Sequence, residues 1–189
     1  ILGITPNAPE TGYGYIRVDA TDDGLPHVTR FVEKPDAPTA ERYLAEGGYY
    51  WNAGMFVVRA SVWLSALELF RRDVADATAR AWEVRQDDGA FVRPGKAEFG
   101  AVPAESVDYA VMEKCPGSLF DLRMVALDAG WSDLGAWEAV WQVSKKDADG
   151  NAAHGDVVLH ECHDTLTHAT SRLVGVIGLD NVVVVETPD

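Results

Sequence analysis

The amino-acid sequence predicts an α/β layer followed by a β-rich appendage. Two stretches of strand-like alternation, Tyr15–Asp19 and His27–Glu33, precede two runs of helical periodicity between residues 61 and 84. After Asn151 the composition shifts to short Val-rich runs separated by Gly, Asn and Asp. Strands mixed with helices, then strands alone, imply one packed α/β layer with an all-β piece appended. No internal repeat and no low-complexity tract shows in the chain.

Each element has its own signal. Ile1 to Ile4 reads as the end of a strand, and Thr5 to Gly14 is a turn-rich link holding Pro6, Pro9, Gly12 and Gly14. Asp22-Asp23-Gly24 is the expected turn between the strands Tyr15–Asp19 and His27–Glu33. Pro38 to Glu46 is a short helix, with Pro near its start and Gly47 at its end. Tyr49 to Arg59, rich in aromatics and Val, is expected as a strand. Ser61 is the expected cap of a helix carrying Val62, Trp63, Ala66, Leu67 and Phe70 at helical spacing, and Val74 to Val84 forms a second. Ser106 caps a third helix, Val107 to Lys114, with Asp108 in its positively polarised first turn. Asp121 to Leu127 is strand-like, and Leu134, Trp137, Val140 and Trp141 mark a helix face. Gly155–Leu159, Leu173–Ile177 and Val182–Glu186 are the short strands of the appendage.

At 189 residues and 47% hydrophobic, the chain can build a sizeable core. The formal net charge of −14 excludes a general nucleic-acid binder and docking on anionic lipid, because no basic excess exists to neutralise phosphates. A small anionic substrate stays admissible, since one placed Lys and a divalent metal suffice locally. Two distant cysteines, Cys115 and Cys162, make no disulfide framework, so a reducing, cytoplasmic setting is expected. No run of about 18 apolar residues is present, so no membrane span is expected.

Five short patterns carry candidate chemistry. Phe31-Val-Glu-Lys-Pro35 ends a strand in an adjacent acid and base, stopped by proline. Lys34 could hold a phosphate as a compact point charge and Glu33 could hold hydroxyls, or both could be a solvated strand end. Asn52 is one amide in the apolar run Tyr49-Tyr-Trp-Asn-Ala-Gly-Met-Phe56. If buried it needs partners, and sugar hydroxyls or a backbone turn would each serve. The Thr11-Gly12-Tyr13-Gly14 turn either offers backbone N–H groups to a ligand or simply leads into the next strand. Asp133, between a strand and a helix, is either a helix N-cap or a Mg²⁺ ligand. His160, Cys162 and His163 lack the spacing of a structural zinc site, and Trp63, Trp137 and Trp141 read as core.

Taken in order, Glu10-Thr-Gly-Tyr-Gly-Tyr-Ile16, Phe31-Val-Glu-Lys-Pro35, Trp51-Asn-Ala-Gly-Met-Phe56, Ser106-Val-Asp-Tyr-Ala-Val-Met-Glu-Lys114 and Gly130-Trp-Ser-Asp-Leu-Gly-Ala-Trp137 resemble the mannose-1-phosphate guanylyltransferase family, including its bifunctional form with phosphomannose isomerase. The resemblance covers nearly the whole chain, and Val-Asp-Tyr-Ala-Val-Met-Glu-Lys is its most specific part. It implies part of a Rossmann-like nucleotidyltransferase domain, a mixed sheet with flanking helices, over 1–148, and the start of a β-rich segment over 149–189. It also implies that Gly12 and Gly14 line the mannose site and that Glu33 and Asn52 bind mannose hydroxyls. Lys34 would hold the sugar phosphate, and Asp133 would be one Mg²⁺ ligand. The implied reaction joins mannose 1-phosphate and GTP into GDP-mannose and pyrophosphate. Asp108 lies in the specific motif without an assigned role.

The family opens with a glycine-rich Gly-Gly-x-Gly-x-Arg loop for the triphosphate, and no such loop occurs in this chain. The expectation is therefore a piece of a longer enzyme that carries the sugar-phosphate side and is inactive alone. Homo-oligomerisation of the longer protein stays open. Two other readings stand beside this one. One is a non-catalytic sugar-phosphate-binding module, and the other is a nucleotidyltransferase for another hexose 1-phosphate or another base.

Overall fold

A computed structural model describes residues 1–19 and 24–189, so the Asp22-Asp23 part of the expected turn lies outside the described residues. The chain forms two compact units, Ile1–Trp131 and Ser132–Asp189.

The first unit is built on a five-stranded mixed sheet. Its strands are β1 (Leu2–Ile4), β2 (Tyr15–Asp19), β3 (His27–Val32), β4 (Tyr49–Asn52) and β7 (Val125–Ala126), in the spatial order β3-β2-β4-β1-β7. β1 and β7 run parallel and the other neighbours antiparallel. Tyr15 and Ile16 are neighbours on β2 and both fully buried. Successive side chains of a strand point to opposite faces, so the sheet is covered on both sides. Tyr15 packs with Ile4, Tyr49 and Trp51 against Ala40 and Tyr43 of helix α1 (Ala37–Glu46). Ile16 packs with Val28, Phe31, Met112 and Met124.

The helix signals are partly those expected. α1 is capped by Asp36, whose carboxylate accepts from the Thr39 N–H at 3.0 Å, and ends at Gly47 with φ +68°. α2 (Ala60–Phe70) has Arg59 at its N-cap with no side-chain hydrogen bond, so Ser61 lies inside the helix and does not cap it. α3 (Arg72–Glu83) follows after a break at Arg71, whose guanidinium pairs with Asp73 and Glu105. A hairpin of β5 (Gln86–Asp88) and β6 (Phe91–Arg93) and a short α4 (Lys96–Gly100) come next, and neither is evident in the sequence pattern. α5 (Val107–Ala110) is capped by Ser106 as expected, but a single 3₁₀ turn, Met112–Lys114, replaces its continuation.

The strand expected over Tyr49–Arg59 ends at Asn52. Gly54 takes φ +69° and donates its N–H to the Asn52 side chain, which breaks the regular ladder there while the Ala53 N–H and the Met55 carbonyl still bond to Leu2 of β1.

The second unit starts with α6 (Trp137–Val143). It continues with β8 (Ala152–His154), β9 (Val157–His160), β10 (Leu166–Ala169), β11 (Val174–Ile177) and β12 (Val183–Glu186). All pairings here are parallel, in two sheets ordered β12-β10-β8 and β11-β9. The chain thus winds in coils, each turn adding one strand to each sheet. Hydrogen-bonded neighbours on successive coils are 17 residues apart at His163 and Asp180 and 14 apart at Asn151 and Thr165. This repeat is structural and was not visible as a sequence repeat. Asn151, buried, staples two coils: its amide donates to the Cys162 carbonyl at 2.7 Å and accepts from the Thr165 N–H at 3.1 Å. Trp137, expected in the core, is 45% exposed and lies against His168. Among the described residues no helix is long and apolar enough to cross a membrane.

Candidate functional site

Three chain segments meet at the end of β2, β3 and β4. Tyr15 is in register with Val32 of β3 and with Trp51 of β4. The residues just beyond those pairs, Gly14, Glu33 and Asn52, therefore fall side by side. The Asn52 N–H donates to the Gly14 carbonyl at 2.7 Å. A Cβ on Gly14 would fall on Glu33 Oε2 and come within 3.2 Å of Asn52 Cβ. Gly14 is thus the floor on which the other two side chains lie. Gly12, two residues earlier, faces open space.

Glu33 leaves the sheet just past the end of β3. Its side chain is only 8% exposed, and Oε2 finds no protein donor. Oε1 lies 3.5 Å from Lys34 Nζ. Burial raises the Glu33 pKa above the usual carboxylate value, nearby Asp108 raises it further, Lys34 pulls it back, and Glu113 adds to the rise. Lys34 has φ +47° and a 56% exposed side chain. That left-handed backbone, rare outside glycine, turns the ammonium back beside the carboxylate of the preceding residue. On a regular strand the two side chains would point to opposite faces.

Asn52 satisfies both ends of its amide within the protein. Oδ1 accepts from the Gly54 N–H at 2.9 Å, and Nδ2 donates to Asp108 Oδ1 at 2.9 Å. The turn partner foreseen as the plain alternative is therefore real, and a charged partner is added. One amide hydrogen and one lone pair remain for a ligand.

Two carboxylates here carry no site assignment in the sequence reading. Asp108 comes from α5, and Glu113, from the 3₁₀ turn, accepts the Glu33 N–H at 2.7 Å. The specific motif held both, but nothing in the spacing from Glu33 or Asn52 points to them. An aromatic wall lies close by: Tyr13 packs edge-on to Trp51 at 5.1 Å and to Trp131 at 5.6 Å.

Asp133 belongs to the second unit. It is exposed, and its carboxylate lies over Gly135, where a Cβ would come within 2.8 Å of Oδ2. α6 takes Ala136 as its N-cap, so Asp133 is not the cap of that helix. Among the described residues no group of three or more His, Cys, Asp or Glu is arranged to hold a metal ion.

Comparison with known proteins shows the family. The profile of a family described as nucleotidyl transferase matches residues 1–150. The xanthan biosynthesis protein XanB of Xanthomonas campestris pv. campestris (strain B100) is 51% identical over 188 residues, covering 100% of this chain and 39% of that protein. The mannose-1-phosphate guanylyltransferase of Escherichia coli (strain K12) is 45% identical over 193 residues, covering 100% of this chain and 40% of that protein. A crystal structure from Thermus thermophilus, described as a mannose-1-phosphate geranyltransferase, superposes with a TM-score of 0.83 at 27% identity. That match takes in 100% of this chain and 53% of the other. The chain thus spans about two fifths of the length of the curated relatives it matches.

Proposed function

The chain belongs to the nucleotidyl transferase family, and on that premise we propose that it forms the sugar-phosphate side of a mannose-1-phosphate guanylyltransferase site. The observation that carries this is the Glu33–Lys34 pair, a buried carboxylate with one unpartnered oxygen beside an accessible ammonium, on a Gly14 floor next to Asn52. A buried acceptor without a donor costs about 1–3 kcal/mol, which a sugar hydroxyl would relieve. Lys34, more exposed, meets the phosphate as a point charge. Asn52 gives its remaining hydrogen and lone pair to a second hydroxyl. The Gly12 turn, open to its surroundings, borders the sugar.

In the proposed reaction an oxygen of the mannose 1-phosphate group attacks the α-phosphorus of GTP. The bond from that phosphorus to the bridging oxygen breaks in line, and pyrophosphate leaves with the electron pair. No protein nucleophile takes part. Lys34 orients the attacking phosphate and offsets its charge, so this chain contributes positioning and electrostatics.

Asp133 is the proposed Mg²⁺ ligand. Its donor chemistry fits, since an exposed carboxylate suits a hard cation whose other ligands are phosphate oxygens and waters. When bound, such a cation supplies positive charge to phosphate oxygens. We keep the family domain over 1–148 and the β-rich segment over 149–189, a division supported by the family match ending at residue 150. A cytoplasmic setting is supported by the two free, buried cysteines, Cys115 and Cys162.

The test is calorimetric titration of the chain with mannose 1-phosphate, with and without Mg²⁺, against glucose 1-phosphate. Binding of mannose 1-phosphate that Lys34→Ala abolishes is expected. Equal binding of both sugars would replace mannose by a hexose 1-phosphate of another kind. No binding by a folded chain would overturn the reading.

A further inference from the structure

Glu113 and Asp108 sit five residues apart, yet both reach the same corner of the sheet. In a continuous α-helix a five-residue separation turns side chains about 140° away from each other. The helix here is interrupted. Val111, with φ −132° and ψ −54°, ends α5, and the 3₁₀ turn Met112–Lys114 starts from it. The interruption is locked in place, because Val111 is 1% exposed against Ala66, Leu67, Ala110 and Cys115, and Met112 is 5% exposed against Phe31 and Met124. The broken segment therefore delivers one carboxylate to the Asn52 side chain and one to the Glu33 backbone. Asp108 Oδ1 takes the Asn52 amide, which fixes which end of that amide faces Gly54. Glu113 Oε1 takes the Glu33 N–H at 2.7 Å, just before Lys34 adopts φ +47°.

We propose that Asp108 and Glu113 are positioning residues: through the break at Val111, Asp108 orients Asn52 and Glu113 holds the strand end that presents Glu33 and Lys34 to the sugar phosphate. This rests on the sugar-phosphate reading above. Neither carboxylate needs to touch the ligand. Each accepts a hydrogen bond that only an oxygen at that place can accept, so the acceptor matters and its charge matters less.

The experiment is calorimetric titration of mannose 1-phosphate into the 189-residue chain and four variants, together with an amide-detected NMR spectrum of each without ligand. Glu113→Ala and Asp108→Ala should each weaken binding about tenfold or more. Glu113→Gln and Asp108→Asn keep an acceptor oxygen and should stay within about threefold of the parent. The Glu33 amide proton should resonate well downfield, move upfield in Glu113→Ala, and hold most of its shift in Glu113→Gln. Ala variants that bind like the parent would overturn the proposal. So would Gln and Asn variants as poor as the Ala variants, since charge would then be what matters. If the parent itself fails to bind mannose 1-phosphate, the functional reading falls alone, and the Glu33 amide shift decides the positioning: no upfield move in Glu113→Ala overturns it.

Discussion

Gly14→Ala separates binding from stability at this site. The added methyl would fall on Glu33 Oε2 and stand 3.2 Å from Asn52 Cβ. Gly14 is not among the residues with positive φ, so the backbone accepts alanine and the effect is steric. Two responses compete. If the side chains hold their places, overpacking costs about 1–3 kcal/mol. If Glu33 swings out, a rotamer strain of about 0.5–1.5 kcal/mol is set against rehydration of an oxygen whose unpaired burial costs about 1–3 kcal/mol. The second route is the cheaper one, because the obstacle is the far end of a flexible side chain. Stability measured by urea unfolding should therefore change by less than about 1 kcal/mol. Mannose 1-phosphate affinity measured by calorimetry should nonetheless fall at least about tenfold, since one charge-assisted hydrogen bond is lost. Unchanged affinity would refute the reasoning, as would a loss of stability above about 3 kcal/mol with binding kept.

Glu33 should also reveal a conflict between function and folding. Its pKa is raised by burial and by Asp108, so its contribution to stability is present at low pH and is lost as pH rises through the folded value. Glu33→Gln should accordingly raise the melting temperature at about pH 7 while weakening sugar-phosphate binding, and a lowered melting temperature would count against this account. In the second unit, Glu186 accepts from the Ser171 hydroxyl and from the N–H groups of Ser171, Arg172 and Thr170, and its pKa drops from 4.5 to about 2. That stability is present above the ordinary value of 4.5 and is lost as pH falls toward 2, and acid unfolding followed by circular dichroism should start at higher pH in Glu186→Gln. Asn151→Ala strands the Cys162 carbonyl and the Thr165 N–H, so it should cost about 2–4 kcal/mol in urea unfolding. Gly155→Ala places a methyl on the Ala169 carbonyl at φ +87° and should destabilise strongly, while Gly175→Ala meets nothing within 4 Å and should stay near neutral.

Much of the fold was legible because the signals are local. The alternation at Tyr15–Asp19 and the proline and glycine bounding Ala37–Glu46 require no knowledge of distant residues. Where the reading of elements went astray, a neighbour in space decided. Tyr49–Arg59 looks like one strand until the Asn52 side chain captures the Gly54 N–H. The coils of the second unit hide because their repeat is carried by backbone pairing, which does not require matching side chains. Leu166-Thr167-His168 thus pairs with Val183-Val184-Val185 without sharing a letter.

Local sequence was enough for the family, for the elements from β2 to α3, and for the candidacy of Glu33, Lys34, Asn52 and the Gly12–Gly14 turn. Each of these is carried by residues adjacent in the chain. Long-range packing alone makes Gly14 a floor while Gly12 is open, and brings Asp108 to the Asn52 amide and Glu113 to the Glu33 N–H. The Asn52–Asp108 bond spans 56 residues and the Glu33–Glu113 bond spans 80. Contacts at such separations depend on how the broken helix packs under the sheet, and no local spacing encodes that packing.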